Sequence, residues 1–300
     1  MKKPTNEQVL ANPIFRALDP DGKQFIQART LPNELNPFAH LEIEVVALIA
    51  FSTFPHIKTV PVVEMMYGDF NGGLYTDKDT IVVDSSGNTA HAVARLAPAF
   101  GFREVKVVLS VDVPDSKKGI LGALSSVEII EVGGGKSVAA RAGEEARKPG
   151  HYRLNQYTHP GNTRAHERHT GPEVLRALGN RRLAAIAIAM GSGGTIAGVG
   201  KFLKEHLPGT TVIGARPREG EQVPGARDRK RMAEVVTLPW EAVTDQVIEV
   251  TRKESFIRMR KLWRAVEPQP GPTSGLAWGG LEGFLQSLAP KELEGFRGKT

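Results

Sequence analysis

The chain has no cysteine, which excludes disulfides, thiolate metal sites and a cysteine nucleophile of its own. It also lacks a long apolar run: nothing approaches the roughly 18 consecutive apolar residues of a membrane span. Met1-Lys2-Lys3 leads into polar Pro4 to Gln8 rather than into the apolar core of a targeting segment. The expectation is therefore a cytoplasmic protein with no membrane partner. Aromatic residues are sparse at 6%, and no run interleaves them with basic residues as a nucleic-acid surface would. The net charge of +6 comes from 39 basic and 33 acidic residues that are scattered along the chain. The densest basic stretch, Arg216 to Arg231, also carries Glu219, Glu221 and Asp228, which reads as a solvated loop that attracts anions, not as a nucleic-acid site. What is present is a loop-rich globular composition. There are 300 residues with 32 Gly, 20 Pro and 40% hydrophobic content, long enough for one large domain or two ordinary ones.

From about residue 80 the sequence alternates short β-branched runs with helical stretches, the pattern of crossover units on a parallel sheet. Strands are expected at 81–83, 105–109 and 127–132, with helices at 88–100, 116–124 and 137–147. A second series follows: helix 171–178, strand 184–190, helix 195–206 and strand 211–214. The last elements are strand 247–250 and helices 254–266 and 274–288. Continuous apolar strands such as Ala184 to Met190 argue for sheets covered on both faces.

Three glycine-bearing turns follow strands. Gly133-Gly134-Gly135-Lys136-Ser137 lacks the earlier glycine of a nucleotide P-loop, since Ile130 stands there, and reads as a structural turn. Gly191-Ser192-Gly193-Gly194-Thr195 lies between a buried strand and a helix, where close backbone approach and the helix N-terminus suit a phosphate. A dinucleotide fingerprint is excluded there, because Ile196 replaces its third glycine and Arg216 stands where an acidic residue would bind ribose. Asp84-Ser85-Ser86-Gly87-Asn88-Thr89 offers hydroxyls, an amide and helix N–H groups to a carboxylate, although alone it is equally an ordinary helix cap. Together the two loops suggest a ligand bearing both a phosphate and a carboxylate.

The order of five motifs extends this reading. Ser85-Ser86-Gly87-Asn88-Thr89, Asn155-Gln156-Tyr157 with Pro160-Gly161-Asn162, His169-Thr170-Gly171-Pro172-Glu173, Gly191 to Thr195, and Gly271-Pro272-Thr273-Ser274-Gly275 resemble those of fold-type II pyridoxal-phosphate enzymes. Val223-Pro224-Gly225-Ala226-Arg227 is similar to a loop of the B-type cysteine synthases (O-acetylserine sulfhydrylases). The resemblance implies an α/β fold of the tryptophan synthase β kind, with two αβα lobes around parallel sheets closing on a cleft. It places residues 1–40 and 155–300 in a larger cofactor lobe and 41–154 in a smaller, mobile substrate lobe. It also implies a homodimer. Gly191, Ser192, Gly193, Gly194 and Thr195 would hold the cofactor phosphate, and Thr273 would face the pyridine nitrogen. A neutral hydroxyl there leaves the ring a moderate electron sink, which suits β-elimination and replacement. Ser85, Ser86, Gly87, Thr89 and Gln156 would hold the substrate carboxylate, with Asn88 also near the ring hydroxyl.

One motif departs from the family. An Asn-Pro near the N-terminus is followed there, six residues after the Asn, by the Schiff-base lysine. In Leu35-Asn36-Pro37-Phe38-Ala39-His40-Leu41-Glu42-Ile43-Glu44 that position is Glu42. Lys58 and Lys78, the nearest downstream lysines, are candidate substitutes or plain surface residues. Three readings stay open. In the first, the protein acts on an amino acid at its β-carbon with pyridoxal phosphate held non-covalently and Glu42 or His40 as base. On the bland reading, His40 is a helix-start residue bonded to backbone and Glu42 is a first-turn carboxylate. In the second, the protein is an inactive binding or regulatory paralogue, able to dock a partner enzyme's peptide tail. In the third, it carries out chemistry without the cofactor on a phosphorylated or carboxylated metabolite.

Overall fold

The computed structural model describes residues 3–18, 25–50 and 55–300. Its strands are β1 (Gln27–Thr30), β2 (Val46–Ile49), β3 (Thr80–Val83), β4 (Glu104–Ser110), β5 (Val127–Val132), β6 (His151–Arg153), β7 (Ala185–Ala189), β8 (Thr211–Pro217) and β9 (Gln246–Val250). The helices of eight residues or more are α1 (Thr59–Asn71), α2 (Asn88–Leu96), α3 (Asp115–Gly122), α4 (Val138–Ala146), α5 (Gly171–Leu178), α6 (Gly194–His206), α7 (Arg252–Leu262) and α8 (Pro272–Ser287). The chain divides into two compact units, Met1–Lys23 with Pro55–Asn162, and Gln24–Phe54 with Thr163–Thr300.

The first unit is built on a four-stranded parallel sheet in the order β5-β4-β3-β6. All four residues of β3 are buried, as a central strand covered on both faces requires. Phe100 is fully buried, with Phe15, Phe70 and Tyr75 meeting it edge-on at 5.9–6.4 Å. In the second unit β7-β8-β9 form a three-stranded parallel sheet, and β1 and β2 pair as a separate antiparallel ribbon. α8 packs along this sheet, where Gly280 lets the helix backbone settle onto Ala215 of β8: a Cβ there would stand 2.6 Å from the Ala215 Cβ. The ribbon's base, Leu31 and Val45, shares a buried cluster with Leu262, Val266 and Trp278.

The α/β class and the parallel sheets read from the sequence are present, and β5 and α5 have the expected bounds. The last helix but one begins earlier than expected and stops at Leu262. Thr251 and Glu254 form a reciprocal capping box at its start.

The unit limits differ from the expected lobes in three places, one of which is residues 155–162, which stay with the first unit, where His159 bonds Asp69. The N-terminal residues belong with the first unit, because Phe15 packs on Tyr67 and Phe100 and the Lys3 ammonium donates to the carbonyls of Lys78 and Gly101. Residues 41–54 stay with the second, because β2 pairs with β1. Among the described residues no helix is long and apolar enough to cross a membrane.

Candidate functional site

In the first unit the sheet reverses its order at β3, which has β4 on one side and β6 on the other. The loops leaving the carboxyl ends of β3 and β6 therefore diverge, the place where open α/β sheets bind ligands. Those loops carry Asp84 to Thr89 and Leu154 to Tyr157. Arg153 donates to the buried Asp84 carboxylate at 2.9 and 3.3 Å, tying the two strand ends together. One residue set further out, the buried Thr89 hydroxyl donates to Gln156 Oε1 at 2.7 Å, so the Gln156 amide nitrogen is the end that offers donors. The Gln156 carbonyl accepts from Asn162 Nδ2 at 2.6 Å. Ser85 and Ser86 are half-buried, Gly87 and Asn88 exposed, and Gly87 begins α2 without a side-chain cap. Hydroxyls, an amide and the start of a nine-residue helix thus gather in one place, with chemistry that suits a carboxylate.

α1, in the same unit, is not legible in the sequence, because Pro61 in its first turn and β-branched Thr59, Val60, Val62 and Val63 hide its period. Lys58 is its N-cap residue. Burial pushes the Lys58 amine down to about 8. Two residues earlier, His56 Nε2 lies 3.1 Å from Nδ1 of His91 on α2. Further along α1, the buried Asp69 carboxylate accepts from Tyr152 at 2.7 Å, His159 Nε2 at 2.8 Å and Tyr75 at 3.4 Å. His159 Nδ1 in turn accepts from the Gly161 N–H at 2.9 Å, which pins the Pro160-Gly161-Asn162 motif to the helix. Lys78 lies in the turn between α1 and β3, partly exposed.

The second unit holds the glycine loop. β7 ends at Ala189, and Gly191-Ser192-Gly193-Gly194-Thr195 turns directly into the thirteen-residue α6. Gly193 is left-handed at φ 79° and caps α6 with no side-chain bond, so the first turn presents bare backbone N–H groups. Gly191 lies against the Gly225 carbonyl too closely to admit a Cβ, and the Arg227 N–H donates to the Met190 carbonyl at 2.9 Å. The Val223 to Arg227 loop is thereby fixed beside the glycine loop. A Cβ on Gly225, itself at φ 90°, would meet Thr273 Cγ2 at 3.2 Å, which brings the start of α8 to the same cluster. The Thr195 hydroxyl lies 3.1 Å from Nε2 of the fully buried His166. A cradle of backbone donors with a hydroxyl at a helix start fits a phosphate.

Glu42 and His40 are also in the second unit, on its surface. Ala39–Leu41 form a single 3₁₀ turn, and Glu42 ends that turn at φ 58° where a helix's first turn was expected. Its side chain is 73% exposed and reaches Arg297 at 4.0 Å. His40 is exposed, with Nδ1 3.1 Å from the Pro37 carbonyl. Asn36 is buried, donates to the Ile43 carbonyl at 2.7 Å and accepts from the Phe38 N–H, so the Asn-Pro pair builds this turn. Glu44 is a structural knot: burial works against its charge, but hydrogen bonds from Thr30, Thr300 and Arg181 hold its pKa below the usual carboxylate range. The Glu173 carboxylate, from the His169 to Glu173 motif, accepts the Phe25 and Ile26 N–H groups at 2.8 and 3.3 Å.

The chain is similar to cysteine synthase B of Pseudomonas aeruginosa, 27% identical over 218 residues that make up 72% of this chain and 70% of that protein. It is 30% identical to cysteine synthase B of Salmonella typhimurium over 190 residues, 61% of this chain and 60% of the relative. Among solved structures, an O-ureido-L-serine synthase aligns with TM-score 0.78 at 20% identity, covering 89% of this chain and 85% of that one. A hydrogen sulfide-producing enzyme from Fusobacterium nucleatum aligns with TM-score 0.77 at 19% identity, covering 92% of each. The profile of the pyridoxal-phosphate dependent enzymes matches residues 57–294, a span that takes in Lys58, the Ser85–Thr89 loop and the Gly191–Thr195 loop and leaves the Asn36-Pro37 turn outside. On that match, the chain belongs to the pyridoxal-phosphate dependent enzyme family, in the fold-type II class.

Proposed function

We propose that this protein is a cysteine-synthase-like enzyme that acts at the β-carbon of an amino acid, with pyridoxal phosphate attached through Lys58. The observation that carries the reading is the Lys58 amine. It opens a helix in the unit that holds the Ser85–Thr89 and Gln156 cradle, and burial lowers its pKa to about 8, toward the range in which an amine serves as nucleophile and base. When bound, the cofactor supplies an electron sink for a carbanion at the amino acid's Cα.

The chain's own residues do the rest. Backbone N–H groups of Gly191 to Thr195 would hold the cofactor phosphate, and Thr273 would offer its pyridine nitrogen a neutral hydroxyl that fixes no proton there. Ser85, Ser86, Asn88, Thr89 and Gln156 orient the substrate carboxylate. Lys58 Nζ takes the Cα proton and returns it. A homodimer, and docking of a partner enzyme's C-terminal carboxylate on the Ser85–Thr89 cradle, belong to the same proposal; light scattering and peptide titration test them.

The lysine-less alternative assigns the base to Glu42 or His40. The exposure of Glu42 and the backbone bond of His40 lend it no support. The deciding experiment adds pyridoxal phosphate, reduces with borohydride and maps the attached cofactor by mass spectrometry, with Lys58→Ala alongside. Attachment at Lys58 that disappears in the variant is the expected result. Attachment at Lys78 or another lysine overturns the assignment. Cofactor that binds without attaching favours the Glu42 reading, and absence of binding favours a regulatory paralogue or chemistry without the cofactor.

A further inference from the structure

A continuous run of hydrogen bonds leads from the last turn of α1 to Gln156. The buried Asp69 carboxylate accepts from His159 Nε2 at 2.8 Å. A backbone N–H can only donate, so the 2.9 Å bond from Gly161 marks His159 Nδ1 as the bare nitrogen and Nε2 as the one whose proton Asp69 receives. The His159 carbonyl accepts from the Asn162 N–H at 3.0 Å, and Asn162 Nδ2 donates to the Gln156 carbonyl at 2.6 Å. Gly161 seals the turn onto the helix: a Cβ there would stand 2.9 Å from the His159 ring and 3.1 Å from Met65 Cα of α1.

The same carboxylate holds the other end of the loop. Tyr152, which donates to Asp69 at 2.7 Å, lies on β6, the strand that runs into Leu154 to Tyr157. Asp69 thus fixes both the strand that enters the Gln156 loop and the turn that leaves it. Between these anchors the Gln156 side chain is buried and oriented by Thr89, yet its Nε2 has no hydrogen-bond partner among the described residues. A buried amide held with its donors unsatisfied contributes little to stability and is suited to receive a ligand oxygen.

We propose that Asp69 and His159 set the affinity of this protein for the substrate carboxylate, by holding Gln156 Nε2 where that carboxylate docks. This rests on the reading of the Ser85–Thr89 and Gln156 cradle as a carboxylate site, and it does not depend on the role of Lys58. Both residues act through Gln156, so both are positioning residues.

The test measures, by calorimetry, the binding of L-serine and of L-serinamide, which lacks the carboxylate, to the protein supplied with pyridoxal phosphate. The wild-type protein is expected to prefer L-serine about tenfold. His159→Ala and Asp69→Ala are each expected to weaken L-serine about five- to tenfold and to leave L-serinamide within about twofold, so that the preference collapses. Asp69→Asn, which keeps an acceptor toward His159, is expected to restore the preference to within about twofold of wild type. His159→Asn keeps an acceptor for the Gly161 N–H, as an Asx turn does, but cannot reach Asp69; it carries the same comparison where an alanine variant fails to fold, with a loss of about threefold expected. Thermal unfolding checks that each variant folds. A wild-type preference in the folded His159 variants, or an equal weakening of both ligands, overturns the positioning role and leaves the carboxylate reading standing. A wild-type protein that does not distinguish the two ligands overturns the carboxylate reading, and the positioning role with it.

Discussion

Thr195 and His166 are joined through a hydroxyl and a ring nitrogen 3.1 Å apart, and the other nitrogen of His166 lies 2.8 Å from Thr170 Oγ1. The histidine is fully buried on a π-helical turn, and it braces the first turn of α6 from behind. Gly198 of α6 lies so close to the Thr163 carbonyl and His166 that no Cβ fits between them. Replacing His166 by Ala removes the brace, strands the buried Thr170 hydroxyl and leaves a cavity. The expected cost is about 2–4 kcal/mol by denaturant unfolding, with weaker pyridoxal phosphate binding by absorbance titration.

Gly191→Ala tests the phosphate cradle more locally. The added methyl must push against the Gly225 carbonyl, which is backbone and gives little, so the two loops separate. A loss of about 1–3 kcal/mol is expected, together with at least tenfold weaker inorganic phosphate or cofactor binding by calorimetry. A variant that binds like wild type would show that the loop spacing is irrelevant to the anion.

Thr89→Val keeps the shape of a buried residue but deletes the donor that orients Gln156. Stability is expected to fall by about 1–2 kcal/mol. On the proposed function, KM for the amino acid substrate rises several-fold while kcat changes less, because the lost group positions the carboxylate and not the reacting carbon.

Lys58 makes a prediction about pH. Its folded pKa of about 8 lies below the ordinary 10.5, so between these values the unfolded chain holds a proton that the folded chain does not. Its contribution to stability therefore rises with pH across that window, and below pH 8 the charged amine is a burden. Lys58→Met should raise the stability of the cofactor-free protein by about 1–3 kcal/mol at pH 7 and by much less at pH 10.5. Equal effects at the two pH values, by urea unfolding, would contradict the shift.

What the sequence disclosed was whatever is written locally. Ala185–Ala189 and Thr80–Val83 are apolar runs followed by glycine turns, and the strand, the loop and the helix after each one stand together within a few residues. The Thr89–Gln156 bond joins two motifs that the family pattern had already singled out. The β1–β2 ribbon could not be read in this way, since its pairing spans from Gln27 to Ile49 and its strands are only four residues long. Asn36-Pro37 is conspicuous as a dipeptide, whereas Lys58 precedes a helix whose proline and β-branched residues obscure it. The histidine pair and the Asp69 hub are invisible to any local pattern, because each exists only once α1 has met α2 or β6.

The interleaved make-up of the two units bears on how the chain is born. Residues Gln24–Phe54 leave the ribosome early, but the rest of their unit, from Thr163 onward, is made only after the whole of Pro55–Asn162. The first unit can close while synthesis continues. During that interval the β1–β2 ribbon has no sheet, no α7 and no α8 to cover Leu31 and Val45. Nascent chains stalled before residue 163 would therefore carry a folded unit beside an apolar, edge-exposed hairpin, the kind of species on which chaperones act.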